Sequence, residues 1–83
     1  MYYVYALYNK RAGKIYIGQT EDLKTRIQLH NSHLFKKSYT ARIEGEWQLI
    51  YSEEADTREA ALKRERGLKS YRGRQFIKLH IPQ

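Results

Sequence analysis

Aromatic and β-branched residues crowd the start of the chain, Tyr2-Tyr3-Val4-Tyr5-Ala6-Leu7-Tyr8, and the run reads as a β-strand. A polar stretch, Asn9-Lys10-Arg11-Ala12-Gly13, separates it from a second strand over residues 14–19. The two are expected to pair as a hairpin with a longer loop. Alternation along the first strand puts Tyr3, Tyr5 and Leu7 on one face and Val4 and Ala6 on the other. In the second, Tyr16 and Gly18 share a face opposite Ile15 and Ile17. Thr20, followed by Glu21 and Asp22, predicts a helix start. Leu23, Ile27 and Leu34 then form an apolar stripe from about residue 22 to 35. A basic connector over 36–45 leads to a third strand candidate, Trp47-Gln48-Leu49-Ile50-Tyr51. Thr57 caps a second helix that runs to about residue 69, with Gly67 weakening its last turn. Gly73 is expected to break the chain before a short helix over 74–80 that offers Phe76, Ile77 and Leu79 to the core. The order β-β-α-β-α-α predicts an α/β (α+β) fold, a three-stranded antiparallel sheet flanked by helices, in one domain over 1–83.

Composition narrows the function classes. The 83 residues contain no cysteine, which removes disulfides, thiolate metal cages and Cys nucleophiles together and suits a reducing cytoplasm. No apolar run is long enough for a membrane helix and no signal-peptide pattern opens the chain, so the expected location is cytoplasmic with no membrane partner. Sixteen Lys and Arg against nine Asp and Glu give a net charge of +7 and a pI near 9.8. That balance points to a polyanionic partner, nucleic acid above others. Eight tyrosines in such a chain add stacking surface and phosphate hydrogen bonds.

Some side chains sit where a simple core-and-surface pattern would not put them. Arg26 and His30 are neighbours one turn apart, and both fall beside the apolar stripe of the first helix. An Arg at such a boundary often lays its stem over the core with its head in water. Glu65 lies between Ala61 and Leu68 on the apolar face of the second helix, among Lys63, Arg64, Arg66 and Lys69. A carboxylate there must be paired, with Lys69 or an Arg, or hold a metal. Tyr5 and Tyr16 align on adjacent strands, which by itself is ordinary cross-strand packing.

Taken together, these residues resemble the GIY-YIG nuclease superfamily. Tyr3-Val4-Tyr5 stands for Gly-Ile-Tyr, and Tyr16-Ile17-Gly18 follows it. The run Gly18-Gln19-Thr20-Glu21-Asp22-Leu23 leads into the helix with Arg26 and His30, and Ala61, Glu65, Leu68 and Lys69 match the surroundings of the family's metal-binding glutamate. Tyr39-Thr40 and Arg42 are similar to small stand-alone bacterial members. The resemblance implies a metal-dependent endonuclease that hydrolyses phosphodiester bonds in DNA, ahead of RNA, with Mg²⁺ or Mn²⁺ and no small-molecule cofactor. Tyr5 and Tyr16 would be the motif tyrosines, Tyr5 the general base. Arg26 would clamp the phosphate, His30 would line the same site, and Glu65 would hold the metal. In one respect the chain departs from the family: well-studied members carry an Asn about a dozen residues after the glutamate, where this chain has Ile77 or a neighbour.

The residue chemistry suits that activity. One carboxylate leaves a magnesium ion most of its waters and room for substrate phosphate. Arg26 offers a planar, permanently charged fork for phosphate oxygens. A tyrosine titrates near pH 10, so a basic Tyr5 would need its proton affinity lowered by the metal, Arg26 or a hydrogen bond. Tyr16 and His30 are both candidates to share its proton or to assist the water or leaving group. Lys36, Lys37, Arg42, Lys69, Arg72 and Arg74 are expected to grip nucleic-acid backbone beside the site. Two other readings fit the composition: a catalytically weakened nucleic-acid-binding module of the same fold, and an interaction domain whose charge is incidental.

Overall fold

The computed structural model of the chain describes residues 1–32 and 43–82. Their elements are β1 (Tyr2–Asn9), β2 (Lys14–Thr20), α1 (Leu23–Ser32), β3 (Trp47–Ala55), α2 (Arg58–Leu68) and α3 (Tyr71–Lys78). The strands form one antiparallel sheet in the order β2-β1-β3. This is the three-stranded α+β arrangement that the hydrophobic pattern predicts.

The period-two alternation of β1 is carried into the packing. Val4 and Ala6 join Ile17 and the helix residues Ala61, Leu68 and Ile77 in one core cluster. Tyr5 and Leu7 join Trp47 in a second, against which Tyr16, Leu23, Ile27 and Ile43 pack. So α2 and α3 cover one face of the sheet and α1 the other. Among the described residues β1 alone has strand neighbours on both edges, and Val4, Ala6 and Leu7 are fully buried in it. A register shift against β3 between Ala6 and Leu7 adds a bulge. It turns the consecutive residues Ile50 and Tyr51 to the same face, where both pack on the α2–α3 cluster.

Three boundaries differ from the sequence expectation, each for a physical reason, and a fourth falls outside the described residues. β3 continues past Tyr51 to Ala55 because Ser52, Glu53 and Glu54 pair with Tyr5, Val4 and Tyr3 of the central strand. Pairing overrides their weak strand preference. The cap of α1 is Asp22 rather than Thr20. The Asp22 side chain accepts from Thr25 N at 3.1 Å, whereas the buried Thr20 hydroxyl bonds back to the main chain of Asp22. Helix α1 is described to Ser32, so Leu34 and the expected end at 35 lie outside the described residues. Finally, α3 starts at Tyr71, before Gly73. Ser70 caps it by accepting from Gly73 N at 3.2 Å, as Thr57 caps α2 by accepting from Ala60 N at 3.1 Å.

Gly73 is inside the first turn of α3 because the turn presses against the end of α2. A Cβ at this position would run into the carbonyl oxygen of Gly67 and the backbone of Leu68. A Cβ at Gly67 would meet nothing within 4 Å. Among the described residues, no helix is long and apolar enough to cross a membrane.

The two glycines are therefore expected to respond oppositely to alanine. Gly73→Ala should cost about 1–3 kcal/mol by forcing α3 away from α2, while Gly67→Ala should add about 0.5–1 kcal/mol of helix propensity. Urea denaturation of both variants checks this. Equal responses would mean that the α2–α3 contact is looser than described.

Candidate active site

Tyr5 stands opposite Gly18 in the β1–β2 register, and Tyr16 stands opposite Leu7. Directly opposed residues of an antiparallel pair project to the same face, so Gly18 leaves the space that the Tyr5 ring fills. A Cβ there would lie 2.9 Å from the Tyr5 hydroxyl, 3.0 Å from its Cζ and 3.0 Å from Cε1 of Tyr16. With that space open, the Tyr5 side chain is almost wholly buried, and its hydroxyl lies 2.9 Å from Nε2 of His30. The ring centroids of Tyr16 and His30 are 4.8 Å apart, those of Tyr5 and His30 5.9 Å, and those of the two tyrosines 6.2 Å. One strand, its neighbour and one helix thus contribute a three-ring cluster.

His30 is the only buried residue of α1, and a residue without any signal in the periodicity holds it there. The side-chain amide of Asn31 accepts from Trp47 N at 2.7 Å and donates to Trp47 O at 3.0 Å. It copies a strand-pairing contact and fastens the end of α1 to the start of β3. At the same end of the sheet a buried Asn9, opposite Trp47 in the register, performs a similar task. It accepts from Ala12 N and donates to Glu44 O, both at 3.0 Å, and orders the β1–β2 connection and the approach to β3.

Burial dominates the electrostatics of Tyr5. Its proton affinity is pushed well above the usual pKa of 10, first by burial, then by the neighbouring Tyr16, with the Glu65 carboxylate adding to the effect. Arg26 pulls in the opposite direction and is outweighed. A basic Tyr5 would need its proton affinity lowered by a metal, Arg26 or a hydrogen bond; of these Arg26 acts in that direction, and without a metal burial outweighs it. His30 shifts downward from 6.5, again first through burial and second through the Arg26 charge. At neutral pH the cluster consists of a protonated phenol and a neutral imidazole beside an exposed guanidinium. The charges of Arg26, from α1, and of Glu65, from α2, both act on the Tyr5 hydroxyl although their helices cover opposite faces of the sheet.

Glu65 is less deeply placed than its helical position suggests. Ala61 and Leu68 on either side are buried, but the Glu65 side chain retains 20% exposure and sits 3.4 Å from Nζ of Lys69, itself 48% exposed. An ion pair this open contributes under about 1 kcal/mol. Among the described residues, no three His, Asp or Glu side chains gather as a ready-made metal cage. A single, partly wet carboxylate fits a hard divalent cation that keeps most of its own waters and does not fit a closed structural zinc site. Ile77, in the region of the expected late Asn, is a fully buried member of the core and presents no polar group.

Of the cations expected to hold nucleic acid, Lys36, Lys37 and Arg42 lie outside the described residues, as do Tyr39 and Thr40. Lys69, Arg72 and Arg74 are all exposed and gather where α2 turns into α3.

Comparison with known proteins agrees with the fold. The family model described as the GIY-YIG catalytic domain matches residues 1–77. The chain belongs to the GIY-YIG family. A UPF0213 protein of Staphylococcus saprophyticus is 37% identical to this GIY-YIG chain over 78 residues, covering 94% of the chain and 92% of that protein. The solution NMR structure of a UPF0213 protein from Bacillus halodurans is 32% identical and superposes with a TM-score of 0.54, covering 95% of this chain and 85% of that one. GIY-YIG domains are typically nucleases, which gives the buried tyrosine–histidine contact a chemical context.

The shifted groups predict how the GIY-YIG site responds to pH. His30 has a lowered folded pKa, so its contribution to stability is complete above 6.5 and is lost as pH falls below that value. Tyr5 has a raised one, so its contribution is complete below 10 and is lost as pH rises above it. Denaturation at about pH 5, 8 and 11 should show His30→Gln losing less stability than wild type on the acid side. Tyr5→Phe should lose less on the alkaline side. Profiles parallel to wild type would contradict the shifts.

Proposed function

We propose that the protein is a divalent-metal-dependent endonuclease that hydrolyses phosphodiester bonds in nucleic acid in the cytoplasm, with DNA as the first substrate to test. The observation that carries this reading is the contact between the Tyr5 hydroxyl and Nε2 of His30, set between the charges of Arg26 and Glu65.

Phosphodiester hydrolysis needs a proton removed from water and negative charge stabilised on the phosphate. Because Tyr5 is protonated at neutral pH, it acts as a relay: its oxygen takes a proton from the attacking water as its own proton passes to Nε2 of His30. Neutral His30 has the capacity to receive it. The imidazolium that forms is disfavoured by Arg26 in the resting site, and the charge building up on the phosphate offsets that repulsion. Arg26, whose charge acts on the Tyr5 hydroxyl, would take the non-bridging oxygens with its fork, with Tyr16 beside the Tyr5 ring. Glu65 would hold a magnesium or manganese ion, which when bound lowers the pKa of water and neutralises phosphate charge. Lys69, Arg72 and Arg74 would grip the backbone, together with Lys36, Lys37 and Arg42.

A second reading, a binding module with weakened catalysis, draws support from Ile77, whose burial leaves no polar side chain in the place of the family's Asn.

Single-turnover cleavage of labelled DNA and RNA duplexes, single strands and junctions with Mg²⁺ tests both. Tyr5→Phe, His30→Gln, Arg26→Ala and Glu65→Gln should each lower the rate by about 10² or more. Since the Glu65–Lys69 pair is largely exposed, the Glu65→Gln melting temperature should stay close to wild type. Salt-dependent binding with no cleavage of any substrate would establish the module instead.

A further inference from the structure

A cleft of about 300 Å³ opens beside the three-ring cluster, lined by Ile15, Tyr16 and Ile17 of the edge strand β2 and by Lys69 and Arg74 from the α2–α3 turn. Its two charged side chains are both cations. Arg74 is oriented by a 3.0 Å bond from its Nε to the carbonyl oxygen of Lys69, which ties the guanidinium to the end of α2. Lys69 belongs to this cleft and also lies 3.4 Å from Glu65 Oε2. One ammonium group therefore stands between the candidate metal carboxylate and an otherwise cationic hollow.

We propose that this cleft is a second phosphate subsite for the nucleic-acid backbone, and that Lys69 couples it to metal binding at Glu65. The inference rests on the metal reading of Glu65 given above. In the metal-free chain Lys69 is the counter-ion of Glu65. A divalent cation at the carboxylate displaces that ammonium, which then completes an anion site with Arg74 beside Tyr16. The compact ammonium serves as a movable point charge, and the tethered guanidinium as the fixed fork. Metal and backbone phosphate consequently strengthen each other's binding. By linkage the factor is the same in both directions.

The test uses Tyr5→Phe as a non-cleaving background and measures binding alone. Isothermal titration with Mn²⁺, and fluorescence anisotropy of a short labelled DNA strand with and without Mn²⁺ at constant ionic strength, are compared across variants. The background protein should bind DNA several-fold tighter with Mn²⁺ present. Adding Lys69→Gln should tighten Mn²⁺ binding by roughly two- to fivefold, since an exposed competing ion pair is gone, and should abolish the metal-induced gain in DNA affinity. Adding Arg74→Gln should weaken DNA binding with or without metal and reduce the salt slope by about one. A metal-induced gain that persists in Lys69→Gln, or unchanged Mn²⁺ affinity, overturns the coupling. An unchanged salt slope in Arg74→Gln overturns the subsite. These failures are separable from failure of the nuclease reading, which would appear as Mn²⁺ affinity unaffected by Glu65→Gln and no cleavage by wild type. Inorganic phosphate at millimolar concentration, titrated in place of DNA, distinguishes a general anion hollow, which it would fill, from a site that requires a nucleic-acid chain.

Discussion

The missing side chain at Gly18 is the constraint on which the site depends. Tyr5 is in the central strand, paired with Gly18 on one side and Ser52 on the other, and its ring has to cross the adjacent strand to reach His30. Only a residue without a Cβ allows that crossing at 2.9 Å. The strand pairing brings Tyr16 to the same face two residues earlier, and the helix that follows β2 supplies His30 and Arg26. A hairpin and one helix thus assemble most of the candidate chemistry from the first third of the chain.

Burial gives this cluster its resting character. A phenol that holds its proton more tightly and an imidazole that releases it more readily settle in a neutral pair at physiological pH, although the chain carries a net charge of +7. The charge is kept at the rim, on Arg26 and on the cations around the α2–α3 turn. Desolvation outweighs the attraction of the nearby guanidinium because Tyr5 is almost wholly buried and Arg26 is exposed to water. In the reaction proposed above, a polyanion drawn to this rim would meet a neutral centre that gains charge only as the reaction proceeds.

Much of this was legible in the sequence because alternation is a strong signal. The faces assigned to Val4, Tyr5, Ala6 and Leu7 are those found, and the Tyr16-Ile17-Gly18 run lies where the family resemblance implies. What escaped the sequence depends on depth or partnership. Ser52, Glu53 and Glu54 look like a loop until β1 is available to pair with them. Gly73 looks like a break until the end of α2 is seen against it. The direction of the Tyr5 shift follows from how little water reaches it, which the identity of its neighbours does not reveal. Asn31 escaped because a single polar residue at a helix end leaves no periodic trace.

The paired bonds between Asn31 and Trp47 join positions 16 residues apart. They make a seam between the end of α1 and the start of β3. Because Asn31 follows His30 directly, the seam keeps His30 in place against Tyr5. The depth at which His30 meets Tyr5 is thereby set by its chain neighbour: a single amide, one position along the helix, that anchors α1 to β3.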